Sequence, residues 1–149
     1  WYIEATLDVS VTNPQNTSPT FLNPPIAFLC AGQPATISPN AQDPDGDVLQ
    51  YSLTPCRDGA FVNVSYLPGF SPTNPLVTTS GFTLNASTGN LSFTPASPQV
   101  GVICILVEEF RNGVKIGEIV RDIQVQVNSC NNSLPIITQH AQVMSMFLL

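Results

Sequence analysis

The sequence predicts an all-β protein built as a two-layered sandwich of about seven strands. Three observations carry this. Apolar residues recur at every second position, and no helical period appears ahead of the C-terminal tail. Clusters of Asp, Asn, Gly and Pro punctuate the chain at short intervals. One stretch, Val100 to Phe110, is apolar on both faces from Val102 to Val107, as a strand at the centre of a sheet must be.

Residues 1–12 alternate, with Ile3, Ala5, Leu7, Val9 and Val11 on one face and Tyr2, Glu4, Thr6, Asp8 and Ser10 on the other. This predicts a half-buried strand. Asn13 to Pro19 breaks it, because proline withholds a ladder donor. The natural reading is the last strand of a preceding domain followed by a short stiff linker (1–19); the alternative is a first strand of the domain that comes after it. That domain spans 20–130. Pro24 to Cys30 reads as a short edge-type strand with prolines only at its start, and Gln33 to Ala41 as a weakly patterned second strand. The turn Asp43-Pro44-Asp45-Gly46-Asp47 leads into a third strand, Val48 to Leu53. Residues 60–80 read as a long loop. Phe82 to Leu84 and Leu91 to Phe93 flank a hairpin turn containing Gly89. After the central strand, Asn112-Gly113 is a strong hairpin signal, since a type I′ turn needs positive φ twice. The return strand runs through Ile123, Val125 and Val127, with Asp122, Gln124 and Gln126 expected to face water. Arg121 breaks its apolar phase, which suggests a bulge or an ion pair with the acidic turn. Residues 131–149 are a polar linker and an apolar tail, read as the start of a next domain or a strand docked on this one.

Charged residues are only 9% of the chain, and 10 acids against 4 bases give a formal charge of −6. That balance argues against nucleic acid, which demands a cationic footprint, and against anionic membrane surfaces. No apolar run reaches membrane-spanning length, so membrane insertion is not expected. The four cysteines form no CxxC pair and the one histidine is His140, so a zinc cluster has little support. Two disulfides are the better reading, which implies an oxidising, extracellular setting. Three connectivities are open. No Ser/His/Asp set or phosphate loop points to an enzyme, and none is expected.

Asp43, Asp45 and Asp47 occupy alternate positions of one turn. Their side chains can supply several oxygens to one Ca²⁺, which prefers such ligands. The plainer alternative is a hydrated acidic turn.

Several motifs together are similar to the repeats of large surface proteins of Bacteroidota, among them gliding-motility-associated adhesins exported by type IX secretion. These are a linker ending at Ser18-Pro19, the Asp43–Asp47 turn and the hairpin Thr88-Gly89-Asn90-Leu91. Val107-Glu108-Glu109-Phe110-Arg111-Asn112-Gly113 comes next, and Arg121-Asp122 precedes the last strand. The likeness covers 16–130. It implies an Ig-like, PKD or cadherin-like β-sandwich of about seven strands with flanking strand segments from neighbouring domains, a role in cell adhesion, and neighbouring repeats or subunits as partners. In the cadherin comparison, Asp43 and Asp45 match Ca²⁺ ligands and Glu108 or Glu109 lies near the same end. The linker departs from that pattern, carrying Asn13 and Asn16 where cadherins place acids, and fewer anionic ligands bind calcium more weakly.

In such a sandwich strands run alternately up and down. This places all four cysteines at one end; the first strand neighbours the last and the third the sixth, so Cys30–Cys130 and Cys56–Cys104 are the expected bridges. Asp43, Asp45, Asp47 and Glu109 converge at the other end, beside the incoming linker, as the expected metal set. The alternative function is a carbohydrate- or protein-binding module using Tyr66, Phe70 and Phe82, although loop aromatics more often cover an open sheet edge. Asn16, Asn63, Asn85, Asn90 and Asn131 each begin an Asn-x-Ser/Thr triplet, a glycan acceptor in a eukaryotic secreted chain.

Overall fold

A computed structural model describes residues 3–7 and 16–130. Residues 8–15, with Asn13, and 131–149, with His140, Asn131 and the apolar tail, lie outside the described residues. The described chain is all β. Its strands are β1 (Glu4–Leu7), β2 (Thr20–Phe21), β3 (Ile26–Cys30), β4 (Ala35–Ile37), β5 (Ala41–Gln42), β6 (Val48–Leu53), β7 (Arg57–Gly59), β8 (Val62–Asn63), β9 (Thr83–Leu84), β10 (Leu91–Phe93), β11 (Gln99–Arg111) and β12 (Val114–Asn128).

The larger layer has the order β1-β12-β11-β6, with β3 parallel to the last part of β12. The smaller layer is β4-β10-β9. Two short ribbons, β2 with β5 and β7 with β8, complete the sheets. The apolar sequence of β11 is used on both faces. Ile103, Ile105 and Val107 pack with Leu91 and Phe93 of the smaller layer and with Ile123, Val125 and Val127 of β12. Cys104 and Leu106 on the other face pack with Cys56, Val64 and Val120. Asn112 and Gly113 have φ of 52° and 79°, the double left-handed turn that lets β11 fold straight back into β12. Gly89 (φ 71°) is needed for a second reason: a Cβ there would stand 2.7 Å from the Tyr51 ring.

The bridges are Cys30–Cys130 and Cys56–Cys104. Cys30 pairs in register with Asn128 on the neighbouring parallel strand, so Cys130 arrives beside it. Cys104 lies one position beyond the end of the β6–β11 ladder, where Ile105 opposes Leu53. Cys56 reaches it from the loop after β6.

Several expectations change. The strand expected over 33–41 is split into β4 and β5 around Pro39 and Asn40, the latter at φ 47°. The 60–80 loop begins with a hairpin, β7–β8, whose Arg57 guanidinium donates to Asn63. Asp122 does not face water: it is 7% exposed, with the Cys104 sulfur 2.9 Å from its Oδ1. Arg121 is neither at a bulge nor paired with the acidic turn. It lies inside, donating to the Asn23 carbonyl and stacking 4.1 Å from the centre of the Phe21 ring, and burial lowers its pKa. The ladder slips instead at Glu109/Phe110. Residues 4–7 lie antiparallel to Gly117–Val120 in the large sheet. The expected burial of their apolar face is not found: Ile3 stays 63% and Leu7 38% exposed, Ala5 is exposed too, and the partly buried residue is Glu4 of the polar face.

Candidate metal centre

The acidic turn folds around one side chain. Asp43 Oδ1 accepts the amides of Asp45 (2.9 Å) and Asp47 (3.0 Å), as an Asx turn does, and Gly46 supplies positive φ at 82°. This directs Asp45 and Asp47 to one side and leaves Asp43 Oδ2 buried without a hydrogen-bond partner.

Glu109 reaches the same place from β11. It continues the core-facing phase of Ile105 and Val107, so it points inward and is 0% exposed. Gly117 opposes it on β12, and a Cβ at 117 would stand 2.6 Å from Glu109 Oε2. Neither Glu109 oxygen has a hydrogen-bond partner. The linker supplies the last wall. Thr17 N–H donates to Asp45 Oδ2 at 2.7 Å, and the Asn16 carboxamide lies beside Glu109. Arg111 flanks the cluster, donating through Nε to Asp47 Oδ1 (2.8 Å) and through Nη2 to Asp47 Oδ2 (2.5 Å) and Asn16 Oδ1 (3.2 Å).

Burial pushes the Glu109 carboxyl up to about 7. The Asn16 side chain opposes this, while the negative charges of Asp43 and Asp47 add to it. Arg111 acts oppositely on Asp47, whose carboxyl it holds below the usual range by charge-assisted hydrogen bonds.

One oxygen from each of Asp43, Asp45, Asp47 and Glu109 lies within 4.8 Å of the others. Oxygens held about 2.4 Å from a shared Ca²⁺ stand at most about 4.8 Å apart, so the set has the spread one ion requires. The unpartnered oxygens of Glu109 and Asp43 are where such an ion would be needed, because a buried carboxylate without partners is costly.

All four expected ligands thus come together. Two contributors were not expected. Arg111 could have been found from its alternate spacing after Glu109 in the same strand. Gly117 had no signal without the register that sets it against Glu109.

A second concavity of about 580 Å³ lies over the outer face of β11, lined by Tyr66, Leu67, Phe70, Val77, Val100 and Val102 among others. The Tyr66 hydroxyl accepts the Cys56 amide (3.1 Å). Phe82 takes no part in this groove and packs on Phe93 at 4.8 Å between centroids.

No family model and no curated protein matches the chain. Among solved structures, a candidate α-galactosidase of Bacteroides fragilis NCTC 9343 aligns with a TM-score of 0.45 and 13% identity. The alignment covers 74% of this chain and 17% of that one, so this chain spans under a fifth of its length. A likeness of that size bears on neither family nor activity.

Proposed function

We propose that the chain is a structural, adhesive repeat of an extended cell-surface protein, an Ig-like or cadherin-like sandwich whose linker end is stiffened by Ca²⁺. The observation that carries this reading is Glu109, wholly buried, with both oxygens unpartnered, facing three aspartates and the incoming linker. Calcium would add positive charge to a set of four carboxylates that has one guanidinium, that of Arg111, paired with Asp47 and Asp45. Asp43, Asp45, Asp47 and Glu109 would hold it. Asn16 and Thr17, already joined to Arg111 and Asp45, would then be fixed relative to the sheet. Its neighbours would be further repeats or subunits of the same surface protein, and its role non-catalytic. Two disulfides suit an oxidising, extracellular compartment, and no helix among the described residues is long and apolar enough to cross a membrane. Attachment to a gliding or type IX-exported adhesin rests on the sequence motifs alone.

The test is calcium titration followed by calorimetry and thermal melting. Heat of binding and a rise in Tm with calcium, both abolished in Asp43→Asn/Asp45→Asn, support the reading; identical melting in calcium and in EDTA overturns it. A second reading, a glycan- or protein-binding module, is favoured by the groove at Tyr66 and Phe70. Glycan-array binding lost in Tyr66→Ala and Phe70→Ala would select it.

A further inference from the structure

The upper edge of β12, Gly117–Val120, is filled by a strand whose attachment to its own domain is slight. β1 contributes four residues to the ladder, of which Ala5, Thr6 and Leu7 remain exposed. Side-chain anchoring comes mainly from Glu4, whose Oε2 accepts the Phe61 amide at 3.0 Å and whose Oε1 lies 3.6 Å from the Arg57 guanidinium. Phe61 is held at φ 59°, so the β7–β8 turn presents its amide to that carboxylate in a conformation seldom adopted outside glycine. The receiving edge is shaped as well. Leu7 Cδ2 and the Thr6 carbonyl would both stand 3.4 Å from a Cβ at Gly117, so the strand lies in close van der Waals contact with this edge.

Immediately beyond Leu7 the sequence carries no turn signal. Asp8-Val9-Ser10-Val11-Thr12 contains no glycine and no Asn-Gly or Asp-Gly pair, and Val9 and Val11 continue the alternation. β-Branched residues in alternation prefer extended backbone, and Pro14 and Pro19 add stiffness toward β2. An element held by few contacts, followed by a sequence that prefers extension, is the kind that identical chains exchange.

We infer that the Gly117–Val120 edge is a strand-acceptor site, and that a second copy of this chain fills it with its own Glu4–Leu7. The exchange keeps every contact of β1. The exposed Ile3 and Leu7 become apolar surface for the junction between two domains. The site is specific for an extended segment with an acid opposite Val120, where Arg57 and the Phe61 amide wait. This inference goes beyond the cation site and does not depend on it.

The experiment uses the full chain in EDTA and in calcium, from micromolar to millimolar concentration. Molar mass is measured by light scattering, and NMR is recorded on a mixture of isotope-labelled and unlabelled copies refolded together. The expected result is a concentration-dependent dimer with intermolecular contacts between Thr6 and Glu118. Thr6→Pro, which removes a donor from an edge strand without touching the core, should abolish the dimer; Glu4→Lys should weaken it. A chain that stays monomeric throughout overturns the inference, as does a dimer that survives Thr6→Pro or shows 4–7 against 117–120 only within one copy. Dimerisation that fails while calcium binding persists separates this inference from the proposed function.

Discussion

Replacing Glu109 by glutamine isolates the feature on which the proposed function depends. The substitution keeps shape and removes the charge. A carboxyl held at about 7 in the folded chain, against 4.5 ordinarily, keeps its proton in the folded state after the unfolded state has lost it. The folded state therefore binds more protons between those values, and stability falls as pH rises through that window. At 1.36 kcal/mol per tenfold, the cost at pH 8 reaches about 3 kcal/mol, an upper bound because entering water would relieve it. For a domain of this size that is a Tm difference of about 10 °C. In EDTA, Glu109→Gln should match the wild type at pH 4.5 and exceed it progressively up to pH 8. In calcium the order should reverse at high pH, because only the ionised carboxylate can hold the ion. Thermal melts at closely spaced pH values, with and without calcium, decide the matter. If the two chains melt in parallel from pH 4.5 to 8 in EDTA, Glu109 carries no buried charge and the reasoning fails.

Gly117→Ala should destabilise by about 1–3 kcal/mol, as overpacking does, since its new methyl meets the Glu109 carboxylate; the urea midpoint reads this. Removing the Cys30–Cys130 bridge with Cys30→Ala/Cys130→Ala should cost about 2–5 kcal/mol, measured by denaturant unfolding of the variant against the oxidised wild type. Limited proteolysis of the oxidised chain should leave a resistant core over 20–130; early cleavage within 40–127 would contradict the burial of β6, β10, β11 and β12.

Local periodicity is the part of the fold that the amino-acid order discloses. β11 announced itself because Val102 to Val107 is apolar on both faces, and Asn112-Gly113 marked where it reverses. Once strands alternate up and down, direction gathers the four cysteines at one end and Asp43, Asp45, Asp47 and Glu109 at the other, and setting the first strand beside the last and the third beside the sixth selects the two disulfide pairs. Positions set by long-range register were not legible. Arg121 and Asp122 look like a polar break in β12, but one turns inward under Phe21 and the other is covered by the loop that carries Cys56. No local pattern tells which strand residues a distant loop will cover. Gly117 is likewise an ordinary residue until β11 is laid beside it.

The Cys30–Cys130 bridge changes how this protein answers tension. It joins the last residue of β3 to a point just beyond β12, enclosing a sequence separation of 100 residues. A pull entering near Asn16 and leaving past Cys130 crosses the sulfur–sulfur bond, and once β2 and β3 have detached it no longer loads the enclosed strands. About 340 Å of contour length is thereby withheld. Only the segment ahead of Cys30 can peel away, by unzipping β2 from β5 and shearing β3 along β12. Under load the domain would yield a short, bounded slack and then behave as an inextensible link.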